Sequence, residues 1–220
     1  LETPQAVSQV DASGLAARRA NVLPQLFRDQ PGLHVQQTTA HQGSVAIRGL
    51  TGQQVLTLID GVRFNNATFR PGPNQYQALI DPSLLERVEV SRGPNGVQYG
   101  SDSLGGTVNI VTRRRGYGGG SVSSVFGTAD RSGGGDLTAS LGGERAALTV
   151  TGFGRQVNDL RAGRGGDSHA AVSRFLGLPS RVLGARLRDT GFTDFGGSAR
   201  VGVKFDTHQD LSLYYARGQQ

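Results

Sequence analysis

Hydrophobic and polar residues alternate with a period of two over much of this chain, as in β-strands that bury one face. Val88 and Val90 lie on one face of such a strand, Arg87 and Glu89 lie on the other, and residues 107–112 alternate in the same way. The segment between the two runs is rich in glycine and contains a proline, and these residues adopt backbone angles that interrupt a β-ladder. The pattern therefore predicts two strands joined by a long, glycine-rich connection.

Two shorter apolar runs come before this pair. Residues 44–50 predict a short strand that ends near Arg48. Residues 55–64 predict a strand that turns at Asp60 and Gly61. This dipeptide accommodates the positive φ angles of a two-residue hairpin turn.

Two helices are predicted in the same part of the chain. Over residues 21–29 the apolar side chains recur at spacings of three and four, and Asn21 precedes them as a candidate N-cap. A second, shorter helix is predicted to begin at Asp81, with Pro82 at its first position.

The composition changes at residues 113–120, where three arginines are followed by a glycine-rich stretch. This change predicts a boundary between a domain of residues 1–114 and a second domain of residues 115–220. Beyond it the alternating runs lengthen to about 9–11 residues, which is what a tilted membrane strand needs. About five such strands are predicted, near residues 120–128, 135–143, 146–156, 195–206 and 209–217.

The connections between these strands alternate in length. They are short near residues 143–145 and 207–209, and long over residues 157–194. Outer-membrane barrels alternate short periplasmic turns with longer extracellular loops. Five strands would leave unpaired edge groups in lipid, so we expect this chain to be the front part of a longer protein with a truncated barrel.

The order of the motifs resembles the plug-domain signature of the TonB-dependent outer-membrane receptors. The resemblance is close over about residues 1–115 and depends on the strand pattern alone beyond them. The residues that carry it are Ile47-Arg48-Gly49, Asp60-Gly61, Glu89-Val90, Arg92-Gly93-Pro94, Tyr99-Gly100-Ser101, Gly105-Gly106, Asn109-Ile110 and Thr112.

This resemblance implies an α+β plug domain, a small mixed sheet with short helices, followed by the beginning of an antiparallel transmembrane β-barrel. It also implies a monomeric active-transport receptor in the bacterial outer membrane, with the plug facing the periplasm and the barrel lumen. The expected cargo is a scarce nutrient carried as a small-molecule metal chelate, with a ferric siderophore first and haem or cobalamin as alternatives. The expected partners are outer-membrane lipid and the inner-membrane energy-coupling protein TonB, whose usual box lies upstream of this chain.

The resemblance also assigns roles to individual residues. In the family, the arginines at the positions of Arg48 and Arg92 face acids on the barrel wall and latch the plug, and Glu89 is placed with them, although an exposed turn or strand charge is the plainer alternative. The turn residues are Asp60, Gly61, Gly93, Pro94, Gly105 and Gly106. The outward loops supply candidate ligand contacts, unless they form an ordinary polar loop: Gln53, Asn65, Asn66, Phe69, Arg70 and Tyr76.

Composition leaves two other classes to consider. The net charge is +6, which would suit a nucleic-acid-binding module, but the arginines are scattered and Lys204 is the only lysine. A secreted β-rich binding protein would explain the alternation, but not the ordered motifs. The chain has no cysteine, and its four histidines lack metal-ligand spacing. With no phosphate-binding loop or nucleophile elbow either, we expect neither an enzyme nor a bound cofactor.

Overall fold

The computed structural model describes residues 6–39, 41–66, 76–114, 118–128, 131–159, 190–206 and 210–219. The first part, up to residue 114 and called the N-terminal unit below, holds a five-stranded mixed sheet and a two-stranded hairpin. Its strands and α-helices are β1 (Ala6–Val10), α1 (Ala12–Arg18), β2 (Leu33–Thr39), β3 (Gln42–Ile47), β4 (Val55–Ile59), β5 (Val62–Arg63), β6 (Leu85–Arg92), α2 (Gly96–Tyr99) and β7 (Gly106–Thr112). Its 3₁₀ helices are Leu23–Phe27, Gly52–Gln54, Gln77–Leu79 and Pro82–Leu84.

The mixed sheet has the strand order β1-β6-β7-β4-β5. Its neighbours are antiparallel except for β4 and β7, which run parallel. Alternate residues of β6 and β7, such as Val88 and Ile110, are fully buried and pack against the 3₁₀ helix Leu23–Phe27. The expected α+β unit with a small mixed sheet and short helices is therefore confirmed.

The helix predicted over residues 21–29 is shorter than expected. It is the 3₁₀ helix Leu23–Phe27, and Asn21 does not cap it, since its backbone N–H instead donates to Gln25 Oε1 at 2.8 Å. Pro31 explains the early end, because the residue before a proline is disfavoured in the helical region. In the second predicted helix Asp81 does cap, accepting a hydrogen bond from the Ser83 backbone N–H at 2.7 Å.

The helix α1 was not predicted. Asp11 caps it by accepting a hydrogen bond from the Gly14 backbone N–H at 2.8 Å, and only Leu15 is buried. A single buried residue leaves no helical periodicity to recognise. Within the described ranges, no helix is long and apolar enough to cross a membrane.

The rest of the chain forms an antiparallel sheet of five strands with the order β12-β11-β10-β9-β8, called the wall below. Each strand pairs with its neighbour in sequence, as in an up-and-down barrel. The predicted strands are confirmed, with shifts of a few residues at their ends. The strands are β8 (Gly119–Gly127), β9 (Ser132–Gly142), β10 (Ala146–Val157), β11 (Phe192–Lys204) and β12 (Asp210–Gln219).

The two faces of the wall differ in polarity. Outward-facing side chains are apolar and exposed, as at Val150 with 45% and Leu213 with 64% of its surface exposed. Inward-facing side chains are polar and buried, and the hydroxyls of Thr138 and Thr151 bond across strands at 3.1 Å. A soluble sheet has the opposite arrangement, whereas a membrane barrel places apolar residues outside and polar residues inside.

Candidate functional site

The N-terminal unit lies against the inner face of the wall, and ion pairs join the two at two points. At the first point, Arg200 of β11 reaches Asp60, which stands in the turn after β4. The Arg200 Nη2 lies 2.9 Å from Asp60 Oδ2 and also donates to the Thr112 hydroxyl of β7. Thr112 completes the contact, since its backbone N–H donates to Asp60 Oδ1 at 2.8 Å.

Arg200 is also bound within the wall. Its guanidinium lies over the ring of Tyr214 on β12, 4.6 Å from the centroid, and its Nη1 donates to Ser212 Oγ at 3.4 Å. These contacts leave only 13% of the side chain exposed. The cation is thus shared between Asp60 and two side chains of the neighbouring strand.

At the second point, Arg155 of β10 reaches the 3₁₀ helix Pro82–Leu84. Its Nη1 lies 3.1 Å from Oδ2 of Asp81, whose side chain is 1% exposed, and it also donates to the Asn21 carbonyl. Asp194 on β11 is the direct cross-strand partner of Arg155 and is buried. One cation therefore lies beside two buried carboxylates.

The two points are far apart along the wall. Arg200 pairs in register with Thr149, six positions before Arg155 on β10. At about 3.3 Å per residue, this places the two arginines roughly 20 Å apart along the strands.

Apolar contact between the two parts is limited in the described residues. Phe153, which lies between the two arginines on β10, packs into the buried core of the N-terminal unit. The rings of His41 and Phe192 meet at 5.6 Å between centroids. Other inward positions near Phe153 include the hydroxyls of Thr149 and Thr151 and the carboxylate of Asp136.

The three predicted latch residues lie elsewhere. Arg48 is exposed at a φ of 52°, and Arg92 donates from Nη2 to Ser8 Oγ at 2.9 Å. Within the described residues neither arginine has an acid within 4.0 Å, although the Arg92 Nε is buried without a hydrogen-bond partner. Their latch role stays a prediction.

Glu89 is occupied within its own sheet. It accepts hydrogen bonds from Arg87 Nε at 2.7 Å and from Asn109 Nδ2 at 3.0 Å. Burial disfavours its charged form, but these hydrogen bonds outweigh that effect and lower the pKa of the Glu89 carboxyl from its ordinary value. These hydrogen bonds lie within the N-terminal unit, and the latch role of Glu89 stays a prediction.

Four of the six predicted turn residues have positive φ angles, which suit glycine: Asp60, Gly61, Gly93 and Gly106. Asp60 and Gly61 have φ of 50° and 83°, as in a two-residue hairpin turn between β4 and β5. At the other connection, the backbone N–H of Gly93 donates to the carbonyl of Gly105 at 2.9 Å, which closes the loop between β6 and β7. Pro94 is exposed within this loop, and Gly106 starts β7.

The predicted ligand contacts divide into two groups. Asn65 is buried, and its amide binds β4, accepting from the Thr57 backbone N–H at 2.8 Å and donating to the Val55 carbonyl at 2.9 Å. Asn65 therefore holds the chain after the hairpin, and its role as a ligand contact stays a prediction. Gln53 and Asn66 are exposed and Tyr76 is half-buried, while Phe69 and Arg70 lie outside the described residues.

An open polar cleft lies where β10 ends and β11 begins. Its volume is about 450 Å³. The Asp159 carboxylate closes its base by accepting from the backbone N–H groups of Thr190 and Gly191, each at 3.2 Å. Among the described residues, no group of three or more His, Cys, Asp or Glu side chains is placed to hold a metal ion.

Residues 1–107 match the family model for the TonB-dependent receptor plug domain. Through this plug domain, the chain belongs to the TonB-dependent receptors. The N-terminal unit is accordingly called the plug from here on. The wall corresponds to the beginning of the antiparallel barrel, and this confirms the fold predicted for the whole chain.

A curated relative is the vitamin B12 transporter BtuB of Vibrio vulnificus, which is 39% identical over 114 residues, covering 51% of this chain and 18% of that protein. The fold is similar to that of the ferric-catecholate import receptor Fiu from E. coli K12, with a TM-score of 0.72 and 18% identity over 99% of this chain and 27% of that one. It is also similar to that of the siderophore receptor PiuA from Acinetobacter baumannii, with a TM-score of 0.71 and 20% identity over 99% of this chain and 27% of that one. The chain thus spans less than a third of the length of each of these relatives.

The two wall arginines and Asp81 were not predicted as contact residues. Arg155 and Arg200 do occupy inward positions in alternating strands, and an inward charge in such a strand needs a partner. That signal could have marked both arginines. Nothing in the sequence indicates that Asp60 and Asp81 are the acids that meet them.

Proposed function

We propose that this chain is the plug and first barrel strands of an outer-membrane active-transport receptor that imports a ferric siderophore. The ligand docks on outer loops and on the plug, TonB pulls on a segment upstream of β1, and the plug rearranges so that the ligand passes. The receptor works as a monomer surrounded by outer-membrane lipid, with its plug between the periplasm and the barrel lumen. No catalytic step is involved.

One observation supports this mechanism most directly: among the described residues, two ion pairs join the plug to the wall. Separated ion pairs and hydroxyls regain water, whereas a continuous apolar interface would lose roughly 25 cal/mol for each Å² exposed. Only Phe153 of the described wall residues belongs to the buried core of the plug. Such an interface is suited to repeated separation under a modest pull.

The ligand contacts that we propose are the exposed or half-buried members of the predicted set. Asn66 and Tyr76 flank residues 67–75, which include Phe69 and Arg70, and Gln53 lies in the loop before β4. Aromatic rings, amides and a cation suit an amphipathic, anionic chelate through stacking and hydrogen bonds. We omit Asn65, because its amide is bonded to β4.

A second candidate ligand is cobalamin. The supporting observation is the 39% identity to a vitamin B12 transporter over 114 residues. That similarity covers the plug, whereas much of a ligand pocket in a receptor of this kind would come from the remaining barrel. Siderophore and cobalamin therefore have to be separated by experiment.

The first test combines location with binding. We expect the full-length receptor in isolated outer membranes, at higher abundance under iron starvation, and we expect the purified receptor to bind ferric siderophores in preference to cyanocobalamin. Tyr76→Ala and Phe69→Ala should each weaken binding about fivefold or more, since a lost aromatic contact is worth about 1 kcal/mol or more. Tyr215→Ala is the matched control, because this tyrosine is 66% exposed on the outer face of the wall.

Each outcome has a distinct meaning. Binding of cyanocobalamin alone, without iron regulation, would replace the siderophore by cobalamin and keep the transporter. Absence of the receptor from outer membranes would overturn the proposal. Unchanged affinity in both aromatic variants would remove residues 67–76 from the site.

A further inference from the structure

We propose that Arg155 is a partner-exchanging clasp, which holds Asp81 of the plug when the plug is seated and Asp194 of the wall when the plug moves away. This inference depends on the proposed rearrangement of the plug. It adds one structural detail to that rearrangement: the wall arginine has an acidic partner both when the plug is seated and when it has moved away.

The geometry at Arg155 provides two acids for one cation. Asp194 is its cross-strand partner and 6% exposed, while Asp81 comes from the plug and is 2% exposed. The Asp194 carboxylate interacts electrostatically with both Arg155 and Asp81. Among the described residues only the Asp81 carboxylate lies within 4.0 Å of the Arg155 guanidinium, which leaves Asp194 as the second acid beside it.

The seated contact is close but imperfect. Asp81 Oδ2 lies 3.1 Å from Arg155 Nη1, yet this oxygen has no hydrogen bond of good geometry. A tight, two-bond ion pair would resist separation, whereas this one leaves part of the Arg155 fork free for Asp194. The contact is therefore suited to exchange.

The exchange removes the main cost of separation. Breaking a buried ion pair is costly when one charge is left buried and unpaired. Arg155 avoids this state, because Asp194 stays beside it on the same sheet. Asp81 leaves with the plug, keeps its capping hydrogen bond from the Ser83 backbone N–H, and gains water.

Arg200 repeats the arrangement at the other contact point. When Asp60 leaves, Arg200 keeps the Tyr214 ring at 4.6 Å and Ser212 Oγ at 3.4 Å, both on β12. Asp60 in turn keeps the Thr112 backbone N–H at 2.8 Å. Both wall arginines therefore have a partner in the plug and a substitute in the wall.

The test measures how often the plug separates from the wall at Ser83. Ser83→Cys introduces a thiol at a position that is 8% exposed, and its hydroxyl has no hydrogen-bond partner, so the change is small. In the purified full-length receptor, without TonB or ligand, the reaction rate of this thiol with a polar maleimide reports the open fraction. This stretch of the receptor has no cysteine of its own, and any accessible cysteine elsewhere is replaced by serine.

Two isosteric changes on either side of Arg155 should act in opposite directions. Asp81→Asn removes the plug acid and should raise the labelling rate about tenfold. Asp194→Asn removes the substitute acid, so that the open state leaves Arg155 without a counter-charge, and should lower the rate about threefold or more. Asp136→Asn is the matched control, since this inward acid of β9 is bonded to Ser123 in the same sheet, and its rate should equal that of the parent.

The sign of the Asp194→Asn effect decides the matter. A nearby carboxylate slows thiolate formation, so simple removal of charge would raise the rate in both variants. A slower rate in Asp194→Asn with a faster rate in Asp81→Asn supports the clasp. An unchanged or faster rate in Asp194→Asn overturns it, and since no transport is measured, that result leaves the proposed function untouched.

Discussion

Gly106→Ala tests whether the glycine at the start of β7 is required by backbone geometry. Gly106 has a φ of 151°, a value that side chains rarely adopt. A Cβ added there would lie 2.3 Å from the carbonyl oxygen of Ser91 and 2.9 Å from Ile47 Cδ1. The first neighbour is backbone of the paired strand β6 and cannot rotate away, so β6 and β7 must move apart.

The magnitude follows from two separate costs. A residue with a Cβ at an unfavourable positive φ loses about 1–2 kcal/mol, and forcing an extra carbon into a packed site costs about 1–3 kcal/mol. We therefore expect a loss of about 3 kcal/mol, which at 1.4 kcal/mol per factor of ten is roughly a hundredfold rise in the opening of β6 and β7.

Hydrogen exchange of the β6 and β7 amides in the full-length receptor, followed by mass spectrometry, measures this opening. Two further glycines provide a graded control. Gly61 has a φ of 83° with no atom within 4 Å of its added Cβ, so Gly61→Ala should cost about 1 kcal/mol. Gly96 has neither a positive φ nor a close neighbour, and Gly96→Ala should leave exchange unchanged or slower. If Gly106→Ala exchanged like Gly96→Ala, the geometric explanation of the motif would be wrong.

Two further predictions concern polar side chains of the plug. The lowered pKa of Glu89 means that its carboxylate stabilises the folded plug at pH values above the ordinary pKa of 4.5, and that this contribution is lost as the pH falls through the folded-state pKa. Glu89→Gln should therefore lower the unfolding temperature at pH 7, and the difference from the parent should vanish in acid. A difference that persists in acid would contradict this role of Glu89. Asn65→Ala leaves two buried backbone groups of β4 unpaired and should destabilise the plug by about 1–3 kcal/mol, measured by hydrogen exchange. Asn66→Ala, at the exposed neighbouring position, should not destabilise it. Equal losses of stability in the two variants would contradict the structural role of Asn65.

The parts of the fold that the sequence predicts are those with a local cause. Alternation at Val88 and Val90 specifies the buried face of β6, and the Asp60-Gly61 dipeptide specifies a hairpin turn whatever lies around it. The parallel pairing of β4 with β7 has no such local signal, because the paired residues lie 51 positions apart in the chain. Register across that distance is decided by packing, which single-strand patterns do not contain.

The contacts between plug and wall are a second case in which the sequence pattern does not identify the partner residues. Alternation indicates that Arg155 and Arg200 face inward, but it does not indicate which acid each one meets. Family resemblance predicted arginines on the plug and acids on the wall. At the two contact points in the described residues the charges are the other way round, because the plug contributes Asp60 and Asp81 through a turn and a helix cap whose local roles already orient their carboxylates.

This reversed polarity has a physical consequence for the plug rearrangement that we propose. The residue that remains behind is an arginine with five N–H donors, which can bind a ring, a hydroxyl or a second carboxylate in its own wall. The residue that leaves is a short aspartate, already bonded to a backbone N–H of the plug and easily hydrated. The opposite arrangement would leave acids on a wall whose other inward groups are mainly hydroxyls, such as Thr149 and Thr151, with no cation to replace the one that departed. Placing the cations on the wall therefore lowers the cost of each separation and keeps both surfaces ready to pair again when the plug returns.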